Sequence, residues 1–179
     1  YASLALDMAK TESDDKRKAE LLKIAENCVQ VPGNGARNFY EACQSFWFVQ
    51  LLIQTEGSGH SISPGRFDQY MYPYYKADLD AGIITREFAQ ELIDCVWIKL
   101  NDLSKVRDAA SAAGFAGYSM FQNLICGGQT PDGRDATNDL SFMCINASMH
   151  TMLPQPSLSI RVWNGTPHDL MMKAAELTR

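Results

Sequence analysis

Apolar residues recur at spacings of three and four along most of the chain, and this pattern predicts a protein built mainly of helices. Residues 2–30 predict two helices, the second opened by Ser13 as its N-cap. Residues 36–56, ARNFYEACQSFWFVQLLIQTE, predict a helix that is apolar on most faces, which is typical of a buried helix. It needs more cover than 179 residues easily supply, so we expect the isolated chain to expose apolar area around residues 46–48.

The middle of the chain continues the helical pattern. Residues 66–82 predict one helix or two short helices, because Pro73 interrupts the pattern. Thr85 is expected to cap a helix over residues 86–108, the clearest helical pattern in the sequence. The small residues of 109–117, AASAAGFAG, predict a loop.

The last third mixes strand and helix patterns. Residues 119–126 are rich in aromatic and β-branched side chains and residues 157–163 alternate, so both predict strands, with a helix over 139–152 between them. Thr166 as N-cap and Pro167 at the first helical position predict a final helix. The order strand, helix, strand, helix implies two neighbouring parallel strands with a right-handed helical crossover.

Composition and charge narrow the class of protein. A hydrophobic content of 46% suffices for one globular domain, while a net charge of −5 with scattered basic residues argues against nucleic-acid binding. The sequence contains no apolar run of the roughly 18 residues that a membrane helix needs. Five cysteines without a CxxC pair argue against a disulfide framework and a zinc site. We therefore expect a cytoplasmic protein without a bound metal.

Residues 56–75, EGSGHSISPGRFDQYMYPYY, hold the candidate chemistry, because polar and glycine residues crowd there between two helical patterns. His60 and Ser61 can each donate and accept hydrogen bonds, as acid–base work and hydroxyl recognition require. By residue type alone, such a pair after a helix is more often a capping or loop hydrogen-bonding pair. Asp68 is predicted to cap a following helix and Arg66 to pair with a carboxylate.

Three blocks, SGHSISPGRFDQYMYPYY, FQNLICGGQTPDGRDATNDLS and QPSLSIRVW, resemble in order and spacing the pyruvate formate-lyase domain of glycyl radical enzymes, on the dehydratase and lyase branch. The resemblance implies a helix-rich α/β fold that forms a partial segment of a ten-stranded α/β barrel. The helical part would cover about residues 1–110 and the βαβα part of the barrel about residues 118–179.

The family resemblance also implies an activity and a site. The activity would be radical cleavage of a C–O, C–N or C–S bond, or dehydration, of a small polar substrate. His60 would be the catalytic residue and Ser61 a substrate-binding residue. Tyr118 and Phe121 are both candidates for an aromatic wall against the substrate, and the sequence leaves the choice between them open.

The family's two radical-bearing loops have no counterpart here. None of the five cysteines stands in a Gly-Cys-x-Glu setting, and the Arg-Val-x-Gly-Tyr radical signature is missing. We therefore expect an internal piece of such an enzyme that is inactive alone and binds no cofactor directly. The glycyl radical would lie on a missing segment, installed by an S-adenosylmethionine/[4Fe-4S] activating enzyme, and the full protein would be a homodimer. Pyruvate formate-lyase proper and a non-catalytic helical binding module are the rival hypotheses.

Overall fold

The computed structural model describes residues 1–57, 61–103, 108–115 and 120–179, so His60 and Tyr118 lie outside the described residues. Within these ranges the chain forms helices and two short strands, in the order α1 (Ala2–Thr11), α2 (Asp15–Gln30), α3 (Phe39–Glu56), α4 (Phe67–Tyr70), α5 (Tyr72–Asp80), α6 (Arg86–Asp102), α7 (Ala109–Phe115), β1 (Asn123–Gly127), α8 (Asp139–Thr151), β2 (Ser157–Arg161) and α9 (His168–Leu177). The predicted helix-rich α/β class is confirmed.

Side-chain caps fix where several helices begin. Thr85 accepts a hydrogen bond from the Phe88 amide, which confirms it as the cap of α6. The cap of α2 is Asp14, whose carboxylate accepts from the Arg17 amide, and not the predicted Ser13. A carboxylate at this position also interacts favourably with the positive end of the helix dipole.

Two other helix predictions were wrong in detail. Residues 109–115 form α7 rather than a loop, because alanine is the strongest helix former and Asp108 accepts from the amides of Ala110 and Ser111. α9 begins at His168 with Pro167 as its N-cap. Thr166 instead accepts from the Trp163 amide, so its hydroxyl closes the turn before the helix.

One hydrophobic core joins the helices to the strands. Its fully buried side chains come from six elements, with Phe39 (α3), Phe67 (α4), Tyr75 (α5), Trp97 (α6), Leu124 (β1) and Leu140 (α8). Burying each of these side chains contributes roughly 1.5–3 kcal/mol. The core therefore fixes β1 against the helical layer.

The strands β1 and β2 pair in parallel with Asn123 opposite Ser157, and α8 lies between them in the chain. This confirms the predicted parallel pair and its helical connection. Leu124 and Cys126 are fully buried on the helix-covered side of the sheet, whereas Asn123 and Ile125 are only half-buried on the other side. The sheet thus has one covered face and one open face.

The second half of helix α3 has an exposed apolar side. Phe48 is buried and its neighbours Phe46 and Trp47 are half-buried, so the apolar exposure does not centre on residues 46–48 as predicted. The exposed apolar side chains of the helix are Val49, Leu52 and Ile53. The helix therefore does expose apolar area, as expected, but this area lies about one turn further along the helix than predicted. Across the described ranges, no helix is both long and apolar enough to cross a membrane.

Candidate functional site

The polar segment of residues 61–65 runs beside β1, in the place that a third strand would occupy. Gly65 donates to the Asn123 carbonyl (3.3 Å) and accepts from the Ile125 amide (2.7 Å), which makes a parallel bridge. The Ser157 amide of β2 instead bonds the carbonyl of Gln122. Because alternate residues of a strand direct their backbone groups to opposite edges, the polar stretch lies on the edge of β1 that β2 does not occupy.

This pairing brings two of the four predicted site residues together. The Ser61 amide donates to the carbonyl of Met120 (3.0 Å), the residue before Phe121. Both Ser61 (φ 59°) and Phe121 (φ 56°) adopt the left-handed backbone region, which costs a non-glycine residue about 1–2 kcal/mol. Phe121 is 44% exposed and Ser61 is also exposed. The other two predicted residues lie outside the described ranges.

A cluster of buried glutamines lies directly behind this pair. Gln50 donates through Nε2 to the Ile62 carbonyl (2.8 Å) and to Gln122 Oε1 (3.0 Å). Gln122 is fully buried. Its side-chain Nε2 donates to the Leu100 carbonyl (2.8 Å), and its backbone N–H donates to Gln155 Oε1 (3.0 Å). Sequence reasoning missed these residues as parts of the site. At position 50 the sequence did contain a signal, because a glutamine within an apolar helical pattern indicates a buried polar contact.

The open face of the sheet carries hydroxyl and amide groups. The side-chain oxygen of Asn123 accepts from Ser159 Oγ (2.9 Å), and the backbone N–H of Asn123 donates to Ser63 Oγ (3.2 Å). These polar side chains continue from the Ser61 segment across both strands. The face can therefore offer hydrogen bonds to a polar molecule.

Asp68 and Arg66 hold the end of β1 in place. Asp68 lies inside α4 and is fully buried, and its Oδ2 accepts from the Gly127 amide (2.8 Å) and Ser141 Oγ (2.6 Å). Arg66 donates to the Gly127 carbonyl (3.0 Å). The predicted capping role of Asp68 is thus wrong, since Asp68 lies inside the helix. Burial raises the pKa of Asp68, against the opposing effects of hydrogen bonds from Ser141, Gly127 and Gln69 and of the Arg66 charge.

Of the described histidines and cysteines, His150 and His168 lie on other elements. His150 contacts Asp94 (2.9 Å) between α8 and α6, and His168 opens α9. All five cysteines are free, and burial raises the pKa values of Cys43 and Cys126, so their thiols stay protonated near neutral pH. Among the described residues, no group of three His, Cys, Asp or Glu side chains could hold a metal ion.

A helix-covered pair of parallel strands with a polar segment at its edge belongs to an α/β fold, and family comparison identifies which one. The model of the family "Pyruvate formate lyase-like" matches residues 1–179. The chain therefore belongs to this family, which confirms the resemblance seen in its motifs.

Named relatives share the whole of this chain but are far longer. The isethionate sulfite-lyase of Desulfovibrio desulfuricans is 43% identical over 178 residues, covering 98% of this chain and 21% of that protein. A structure on 1,2-propanediol dehydration in Roseburia inulinivorans matches with a TM-score of 0.96 and 68% identity, over 99% of this chain and 22% of the other. A glycyl radical enzyme from Archaeoglobus fulgidus matches with a TM-score of 0.93 and 36% identity, over 99% and 23%. The chain spans about a fifth of the length of these relatives.

Proposed function

We propose that this chain forms one wall of the substrate site of a glycyl radical lyase or dehydratase. The enzyme would cleave a C–O, C–N or C–S bond of a small polar substrate that carries a hydroxyl group. The observation that carries the proposal is the pairing of Ser61 with the residue before Phe121, at the edge of an open, polar sheet face. The names of relatives, a lyase and an enzyme of diol dehydration, support the reaction class.

The proposed roles follow from side-chain chemistry. The Ser61 hydroxyl can donate to and accept from a substrate hydroxyl, and both groups need such partners once water is excluded. His60, the residue before it, would hold or release the proton that leaves or joins the substrate oxygen, since imidazole titrates near neutral pH. Phe121, whose ring is partly exposed, or Tyr118 would supply the apolar wall.

Other parts of the reaction would come from outside this sequence. We use "complete enzyme" for a polypeptide that contains this chain together with the family's catalytic-cysteine and radical-glycine loops. The glycyl radical, installed by an S-adenosylmethionine/[4Fe-4S] activating enzyme, would supply the hydrogen-abstraction chemistry. We further propose that the complete enzyme is a homodimer, as the family resemblance implies, and that it lies in the cytoplasm, since the five free cysteines fit a reducing compartment.

The test compares two histidine variants in the complete enzyme. His60→Ala should keep the glycyl radical, measured by electron paramagnetic resonance. It should lose turnover by on the order of a hundredfold or more, the usual scale for removing a positioned acid or base. His150→Ala is the matched control, because His150 lies between α8 and α6 and contacts Asp94.

Product analysis separates this proposal from its rival within the family. The wild-type enzyme should release a dehydrated or otherwise cleaved product from a small hydroxylated substrate. Formate release from pyruvate with no such product would instead assign pyruvate formate-lyase activity. Near-normal turnover in His60→Ala would remove the catalytic role of His60.

A further inference from the structure

The buried glutamine cluster connects the two halves of the candidate site. Gln122 has all four of its polar groups bonded: its amide to Gln155, its carbonyl to the Ser157 amide (3.1 Å), its Oε1 to Gln50 and its Nε2 to the Leu100 carbonyl. A side chain fixed in this way has a single position. Gln122 is therefore a rigid base from which the neighbouring residue, Phe121, projects.

Gln50 links that base to the other half of the site. An amide nitrogen has two hydrogens, and Gln50 uses one for the Ile62 carbonyl (2.8 Å) and one for Gln122 Oε1 (3.0 Å). Ile62 follows Ser61 and Gln122 follows Phe121. A single side chain from α3, only 5% exposed, thus joins the residue after Ser61 to the residue after Phe121.

The backbone of the two site residues needs such support. Ser61 and Phe121 both lie in the left-handed region, where non-glycine residues persist only if the surrounding contacts hold them there. The Ser61–Met120 backbone bond acts on one side of the pair, and the Gln50 bridge acts on the other. Loss of the bridge would remove the side-chain contact that ties the residue after Ser61 to the residue after Phe121.

We propose that Gln50 is a positioning residue for the reaction: it fixes the separation between the Ser61 hydroxyl and the Phe121 ring and so sets the geometry of the bound substrate. This inference rests on the proposed function. The rival explanation is that Gln50 is only a buried polar side chain with satisfied hydrogen bonds. The two explanations differ in kinetics, because a purely structural role predicts lost stability without a specific effect on catalysis.

The first variant is Gln50→Met in the complete enzyme, which keeps side-chain length and removes both donors. Radical content by electron paramagnetic resonance should stay at the wild-type level. The value of kcat should fall by on the order of a hundredfold, the scale expected when reacting groups are misplaced by about 1 Å. Gln50→Asn, which retains the amide with a shorter reach, should show a smaller loss and serves if Gln50→Met does not fold.

The matched control is Gln69→Met. Gln69 also donates through Nε2 to a backbone carbonyl, that of Ala136 (2.8 Å), but it lies on α4 beside the loop after β1. Gln69 is half-buried and donates one bond where Gln50 donates two, so Gln69→Met should lose less thermal stability, and it should retain kcat and KM. An equal loss of kcat in Gln69→Met would show that loss of any side-chain hydrogen bond slows the enzyme and would overturn the proposal.

A double-mutant cycle with Ser61→Ala supplies the decisive measurement. If Gln50 acts through Ser61, Gln50→Met should cost less than about threefold in kcat once Ser61 is alanine, because coupled residues are not additive. Full additivity would overturn the positioning role alone. If Ser61→Ala keeps full turnover, or the wild-type enzyme cleaves no hydroxylated substrate, both this inference and the proposed function fall.

Discussion

Asp68 should be the side chain on which the end of β1 depends most. It is fully buried and accepts hydrogen bonds from the Gly127 amide and from Ser141 Oγ. Asp68→Ala would leave both donors buried without a partner, at roughly 1–3 kcal/mol each, so the local free energy of opening should fall by about 2–6 kcal/mol. At about 1.4 kcal/mol per factor of ten, amide hydrogen exchange there should accelerate by about thirtyfold to about twenty-thousandfold.

Asp68→Asn separates hydrogen bonding from charge. The carboxamide keeps one oxygen that can accept from both donors, removes the ionisable group and places an NH2 group where Oδ1 has no hydrogen-bond partner among the described residues. Exchange measured by mass spectrometry on peptides covering residues 121–129 and 139–151 of the complete enzyme should therefore rank Asp68→Asn between wild type and Asp68→Ala. Exchange in Asp68→Ala as slow as in wild type would refute the reasoning.

The same residue should give the protein a pH dependence of defined sign. Burial raises the pKa of Asp68 above its ordinary value of 3.8, so between that value and the raised one the folded state binds more protons than the unfolded state. The contribution of Asp68 to the free energy of unfolding is therefore fully present below pH 3.8 and is lost as the pH rises through the pKa of the folded state. Thermal melts of wild type and Asp68→Asn at each pH should diverge in that direction. Parallel profiles would contradict it.

Three further predictions follow from surface, burial and backbone geometry. The chain expressed alone should bind a hydrophobic dye and self-associate through the exposed side of α3, and a clean monomer with a sharp melt would contradict this. Gln54 is 5% exposed, and within the described residues neither atom of its carboxamide has a hydrogen-bond partner. Gln54→Met should therefore leave the free energy of unfolding unchanged or raise it by up to about 3 kcal/mol. Gly128→Ala should destabilise more than Gly133→Ala, because both have φ +85° but only at Gly128 would the new Cβ lie 3.0 Å from a side-chain atom of Arg161. Equal melting temperatures for the two glycine variants would reject the steric part of that argument.

Much of the fold followed from local patterns. The paired parallel strands and the helix between them were predictable because turn-rich loops separate clear strand and helix periods over residues 119–163. The errors were also local. Ser13 and Asp14 are both good caps, and only the hydrogen bond to Arg17 decides between them. In α7, the alanines and the Asp108 cap outweighed the impression of flexibility given by small residues.

The site was less predictable, because its geometry depends on contacts distant in the sequence. Family motifs made Ser61 and Phe121 candidates, but the bond that brings their segments together, from the Ser61 amide to the Met120 carbonyl, spans about 60 residues of chain. Nothing in the identity of a serine or a phenylalanine predicts a left-handed backbone, which both residues adopt here. Asp68 was assigned a local capping role, because its partners Gly127 and Ser141 become neighbours only when the sheet forms.

The arrangement also explains why the polar residues of the chain are concentrated where they are. A strand flanked on both edges needs hydrogen bonds to each neighbour, and β1 obtains them from β2 on one side and from Gly65 on the other. The segment that pairs with β1 at Gly65 is held at Ser61 as well, where its amide donates to the Met120 carbonyl and its φ is positive. Ser61 and Phe121 therefore lie next to the paired segments, just outside the regular pairing of β1. Such placement gives a reacting side chain a fixed position without burying it.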